Sequence, residues 1–238
     1  MPYERPHKSI EVFDWGLISF QKAWERQTTL FEQIVSQKLE NRKRQEENLP
    51  LVPTSNYLVF CQHPHVYTLG KSGKETNLLL KEEELEQKQI DFYHINRGGD
   101  ITYHGPGQLV GYPILDLENF FTDIHRYMRS LEEVIIRTLA DFGILAERYE
   151  GLTGVWIGVH SDAPRKICAM GVKTSRWVTM HGFALNINPN LDYFRYIIPC
   201  GIKDKAVTSM ALELGKVPPF QEVQHSIEYH FREVFEIR

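Results

Sequence analysis

The sequence predicts a mixed α/β fold, of the α/β or α+β kind, with a mixed sheet flanked by helices. Short apolar blocks rich in β-branched and aromatic residues alternate with stretches of helical periodicity. The alternation follows no repeat. At 238 residues, with 42% hydrophobic and 24% charged residues, the chain can bury one substantial core. A single domain over residues 1–238 is therefore expected.

Each element has its own signal. From Leu17 onward, Leu17, Phe20, Trp24, Phe31, Ile34, Val35 and Leu39 recur at helical spacing, which predicts a long amphipathic helix. Its charged tail, LENRKRQEEN, fades at Leu49-Pro50. Residues Asn56 to Cys61 and Val66 to Leu69 read as strands around a QHPH turn. Lys81 to Gln89 is helix-prone, and Ile90 to Ile95 and LVGYPILDL read as strands on either side of a glycine-rich loop. Thr122 or Asp123 caps a helix that continues through Leu139 and stops at Gly143. The blocks GVWIGV, KICAMGV and WVTMHGFALNIN supply further strands, and Pro218-Pro219 precede a terminal helix, Phe220 to Ile237.

Composition removes several function classes. A net charge of −4 argues against a nucleic-acid binder that works through overall charge. No apolar run approaches the length of a membrane span, and the N-terminal MPYERPHKSIEVFDW lacks a signal peptide's apolar core, so a cytoplasmic location is expected. Three cysteines are an odd count without framework spacing, which predicts reduced thiols.

The stretch RGGDITYHGPGQLVGYP, Arg97 to Pro113, holds five glycines and two prolines. It matches neither the phosphate-loop nor the dinucleotide-turn pattern. Two uses remain open: tight turns, or backbone that approaches a ligand closely because no Cβ intervenes. Arg97, Thr102 and His104 among the glycines favour a site.

His63 and His65 without a second cluster are weak evidence for metal, and no metal or other cofactor is expected. They read as turn and strand-entry residues, and His94 as a sheet residue. Cys61 and Cys168, inside apolar runs, read as small buried hydrophobes. Cys200, between Pro199 and Gly201, reads as a loop thiol that needs a base before it can react. Lys166, Lys173, His104 and His181 are the available bases, and spacing alone brings none of them to it.

RGGDITYHGPGQLVGYP, RKICAMGV, HGFALNI and IIPCGI, in that order, with HPHVYTLGKSGKETNLL upstream, resemble the motifs of the octanoyltransferases, the lipoyl(octanoyl) transferases of lipoate biosynthesis. The resemblance covers about Asn56 to Met210. It implies the catalytic-domain fold of the biotin and lipoate protein ligases, and an acyltransferase with a Cys/Lys dyad.

By this resemblance Cys200 matches the acyl-accepting nucleophile and Lys166 its partner. Arg97, Gly98, Gly99, Asp100, Ile101, Thr102, Tyr103 and His104 match one substrate-binding stretch; Ala169, Met170 and Gly171 match a second, and Gly182, Phe183 and Ala184 a third. Tyr103 and His104 are expected to shape the reacting end of an acyl channel, although His104 is equally readable as structural. The implied donor is octanoyl-acyl carrier protein. The implied acceptor is a lysine on lipoyl domains of 2-oxoacid dehydrogenase complexes or on glycine cleavage H protein.

Ile198 stands before Pro199 where the family pattern has asparagine, and the first helix is longer than the family needs. Lys71, Lys74, Arg165, Lys203 and Lys205 near the motifs are candidates for docking an acidic carrier protein. Two rival readings are an ATP-dependent lipoate or biotin ligase, which needs no cysteine, and a carrier-binding module that forms no adduct.

Overall fold

The structure is a computed structural model that describes residues 8–198 and 206–237. Strand β1 (Glu11–Leu17) leads into helix α1 (Phe20–Glu46), then β2 (Tyr57–Gln62) and β3 (Val66–Leu69). Helix α2 (Glu82–Gln87) precedes β4 (Asp91–His94), β5 (Ile101–His104) and β6 (Gln108–Ile114). Helix α3 (Ile124–Asp141) is followed by β7 (Glu147–Tyr149), β8 (Leu152–Ile157), β9 (Arg165–Ser175) and β10 (Val178–Asn186). Strand β11 (Ala206–Val207), α4 (Met210–Leu214) and α5 (Phe220–Val234) close the chain.

Eight strands form the larger sheet, in the order β1-β2-β6-β10-β9-β8-β7 with β11 on β9. The β1–β2 and β11–β9 pairs are parallel and the other pairs antiparallel. The central strands β6 and β10 are buried at every position, as strands covered on both faces must be.

Alternation along β2 divides the core. Leu58 and Phe60 face α3 and α5, together with Leu109, Leu185 and Phe231. Tyr57, Val59 and Cys61 face α1, together with Val110, Tyr112 and Ala184. A buried ion pair, Lys38 with Asp116, fixes α1 on its face, and Glu118 reaches the same ammonium at 2.9 Å.

The smaller sheet runs β4-β3-β5, with β3 parallel to β4 and antiparallel to β5. It has its own core of Tyr67, Leu69, Ile101, Tyr103 and Ile197. Among the described residues no helix is long and apolar enough to cross a membrane.

The expected elements recur with three differences. Leu17 ends β1 instead of opening the helix; Ser19 caps the N-terminus by accepting from Lys22 N, so α1 starts at Phe20. Half of the glycine-rich loop is strand, because Ile101 to His104 alternate between two buried environments. The terminal helix ends at Val234.

Candidate active site

A cavity of about 400 Å³, counted out to its open mouth, lies between the two sheets. Ala169, Met170 and Gly171 of β9 and His181, Gly182, Phe183 and Ala184 of β10 form one wall. Arg97, Thr102 and His104 of the glycine-rich stretch form the other, and Phe20, Ile95 and Tyr112 complete the lining. Three segments distant in sequence therefore meet here.

Glycine is what allows the walls to approach. Gly98 N donates to Val172 O at 2.9 Å, which binds the glycine-rich stretch to β9. A Cβ on Gly171 would stand 2.8 Å from Gly98 O and 3.2 Å from Arg97 Cδ. Of the two uses left open for the glycine-rich stretch, Gly99 shows a turn conformation at φ 86°, while the close approach at Gly171 of β9 is to the backbone of Gly98.

Of the substrate-binding candidates, Arg97, Thr102, His104, Ala169, Met170, Gly171, Gly182, Phe183 and Ala184 line the cavity. Gly98, Gly99, Asp100, Ile101 and Tyr103 do not line it. Asp100 accepts from Ile101 N and from Asn77 Nδ2, each at 2.6 Å, and so orders the turn. Tyr103 was expected at the reacting end, but the pleat turns it to the opposite face. There it stacks on Tyr193 at 5.1 Å, and its hydroxyl lies 2.7 Å from His65 Nδ1.

The cavity's polar groups are mostly committed. Arg97 Nη2 donates to Thr68 O and Oγ1, and its Nη1 donates to Gly98 O. His104 Nδ1 is 3.2 Å from Gln108 Oε1. His63 supports the floor from behind. Its Nδ1 lies 2.7 Å from Ile18 O, an acceptor only, so Nδ1 carries the proton and Nε2 accepts from the Tyr112 hydroxyl at 2.7 Å.

Burial holds His63 down to about 4 and His181 to about 3, with the Arg97 charge second for His181. Burial, then His63 and Arg97, pushes His104 well below its ordinary value. All three are neutral imidazoles at pH 7 and poor bases.

Cys61 and Cys168 are buried, and burial pushes both thiols far up, which makes them inert. His94, read as a sheet residue, ends β4 on the surface 3.4 Å from Glu75. His65 precedes β3 as expected and stacks on Tyr193 at 4.2 Å.

Cys200 lies in residues 199–205, outside the described residues, as do Lys203 and Lys205. The chain on both sides of that segment is held. Ile198 N donates to Asn77 O at 2.8 Å, and Leu79 N donates to Tyr196 O at 2.8 Å. Beyond the segment, Ala206 pairs with Arg165 and Val207 with Lys166, and Thr208 N donates to Lys166 O at 2.9 Å.

Lys166 is half-buried, with its ammonium 4.7 Å over the Trp156 ring. A register shift opposite Val155 and Trp156 sends Ile167 and Cys168 both into the core, leaving Lys166 and Ala169 on the other face.

The lipoyl protein ligase A/B catalytic domain model matches residues 20–232. A curated octanoyltransferase of Flavobacterium johnsoniae is 60% identical over 97% of this chain and 98% of its own length. One of Cytophaga hutchinsonii is 58% identical over 99% of this chain and 96% of its own. The chain belongs to the octanoyltransferase family.

The fold likeness extends to ligases within the same domain class. A bipartite archaeal lipoate protein ligase from Thermoplasma acidophilum superposes with a TM-score of 0.69 at 16% identity, covering 98% of this chain and 86% of that one. A lipoate-protein ligase A bound with ATP gives 0.67 at 15%, covering 97% and 86%. Residue reasoning on this octanoyltransferase-family chain did not assign Phe20, Ile95, Tyr112 or His181 to the cavity. The positive φ of His181, 63° inside a strand, has no sequence signal except its neighbour Gly182.

Proposed function

We propose that this chain transfers an octanoyl group from acyl carrier protein to a lysine of a lipoyl domain, through a thioester on Cys200. The Cys200 thiolate attacks the donor's carbonyl, the phosphopantetheine thiolate leaves, and the octanoyl group rests on sulfur. The target amine then attacks that thioester, the cysteine thiolate leaves, and an amide remains. Lys166 receives the cysteine proton, returns it to the departing thiol, and later takes one from the attacking amine. Overall, thioester and amine become amide and thiol, so the reaction needs no nucleotide.

One observation carries the reading: the strand that follows the Cys200 segment hydrogen-bonds to the strand residue Lys166. The octanoyltransferase activity for which the curated relatives are named supports the octanoyl group, and a cavity with one largely apolar β9–β10 wall suits an alkyl chain. Incubating the chain with octanoyl-acyl carrier protein and an unmodified lipoyl domain, without ATP, tests it. The expected product is octanoyl-lipoyl domain. Product formed only from free octanoate and ATP would instead establish the ligase reading, and tight donor binding without any adduct the non-catalytic one.

A further inference from the structure

The cavity crosses the strands of the larger sheet. In register, Gly171 of β9 faces Gly182 of β10, and Phe183 faces Gly111, the residue before Tyr112 of β6. The Tyr112 hydroxyl lies 2.7 Å from His63 Nε2, and the Phe20 ring meets the His63 ring edge-on at 5.5 Å. The lining thus runs from β9 through β10 and β6 to Phe20, the first residue of α1. Burial deepens the same way: Ala169 and Gly171 are half-buried, whereas Gly182, Ala184, Tyr112 and Phe20 are buried. The cavity therefore opens on β9, the strand of Lys166, and ends against Phe20. Two strand spacings separate β9 from β6, roughly 10 Å, about the reach of an extended eight-carbon chain.

Phe20 is held in place from several sides. Ile18 N donates to Gln62 O at 3.0 Å, and Ile18 O accepts from His63 Nδ1 at 2.7 Å, so the entry to α1 is tied to the end of β2 and the turn after it. The Phe20 ring lies parallel to His104 at 6.2 Å and against Tyr93 at 5.4 Å. Behind it the packing is apolar: Val66 and Ile95 share its buried cluster, with Trp24 and Tyr93 at the margin. A chain longer than the cavity meets a close-packed wall that does not swing aside. A smaller side chain at position 20 leaves apolar space continuous with the cavity.

We propose that Phe20 is the length gauge of the acyl pocket: its ring stops the far end of the bound alkyl chain. The substrate class is then thioesters of straight acyl groups up to about eight carbons, with longer ones turned away at this ring. The inference rests on the acyl-transfer reading and deepens it.

The test is a ladder of acyl-pantetheines of six, eight, ten and twelve carbons, transferred to an unmodified lipoyl domain. Because one methylene that a pocket cannot seat is worth about tenfold or more, wild-type kcat/KM should fall at least about tenfold from eight to twelve carbons. In Phe20→Ala the twelve-to-eight ratio should rise at least about tenfold, and in Phe20→Leu by less. In Phe20→Trp the eight-to-six ratio should fall about tenfold. Ratios taken within one variant cancel any loss of folded protein. Phe31→Leu, on the same helix but outside the cavity lining, should leave the ladder unchanged. Equal transfer of eight and twelve carbons by the wild type, unchanged ratios in Phe20→Ala and Phe20→Trp, or the same shift in Phe31→Leu overturns the proposal. Calorimetry of the free six-, eight- and ten-carbon acids on Cys200→Ser, with and without Phe20→Ala, reads the pocket without turnover. A length limit that moves with residue 20 while no thioester is transferred indicts the transfer reading alone, and a limit that stays put sinks the gauge.

Discussion

Val207 lies in parallel register with Lys166, and Thr208 N closes the ladder on the Lys166 carbonyl at 2.9 Å. The strand that leaves the Cys200 segment is thereby welded to the strand that carries the lysine. The strand after that segment and the strand of Lys166 thus share one frame, as the near-attack geometry of the proposed nucleophile and base would require.

Lys166→Ala is expected to lower octanoyl transfer by about 10²–10⁴-fold, the usual contribution of a positioned acid–base group. Lys166→Arg should not restore it, because a guanidinium does not release its proton. Single-turnover kinetics checks both, with circular dichroism to show that the fold persists.

Gly171→Ala should hurt binding more than chemistry. The new methyl lies 2.8 Å from Gly98 O, a backbone atom that moves only by separating the two sheets. Overpacking of this kind costs about 1–3 kcal/mol, measurable as a lower urea midpoint. KM for the acyl donor should rise, with a smaller change in kcat.

Acid should loosen the floor of the cavity. The His63 value falls from 6.5 to about 4 on folding, so between these pH values the unfolded chain binds the proton that the folded one refuses. The associated stability is fully present above pH 6.5 and is lost as pH falls toward 4, by about 3 kcal/mol at most. Denaturant titrations at several pH values should show this slope together with those of His104 and His181, which burial also depresses, and His63→Gln should remove only the His63 share.

Docking of a carrier protein is expected to depend on surface charge. Lys71 and Lys74 are exposed, and Lys71 N donates to Arg97 O, which places this loop against the glycine-rich stretch. Arg165 is already engaged: its Nε and Nη2 grip Glu213 at 2.6 and 2.5 Å, which removes it from the free cations first considered. Reversing Lys71, Lys74, Lys203 and Lys205 to glutamate should raise KM for octanoyl-acyl carrier protein while sparing octanoyl-pantetheine. Equal loss for both donors contradicts the idea.

Much of this was legible in the sequence because local rules dominate it. The central strands announce themselves by apolar runs, the helix start by capping chemistry at Thr122 or Asp123, of which Asp123 is the cap, and Gly143 by its position just past the apolar helical residues. Nine of the residues that the motifs name line the cavity. The missing parts depend on distant partners. Phe20 reaches the cavity only because Ser19 starts α1 beside β2, and Tyr103 turns away because β5 is a strand inside what composition reads as loop. Strand β1 owes its existence to parallel pairing with β2, a contact across α1 for which sequence carries no local mark.

The central claim is that Cys200 carries the acyl group, and intact-mass spectrometry of the chain after brief mixing with octanoyl-acyl carrier protein tests it most directly. The account predicts a single octanoyl adduct that hydroxylamine removes, that is absent in Cys200→Ser and that forms slowly in Lys166→Ala. An adduct that survives in Cys200→Ser, or turnover with no cysteine adduct under single-turnover conditions, would contradict it.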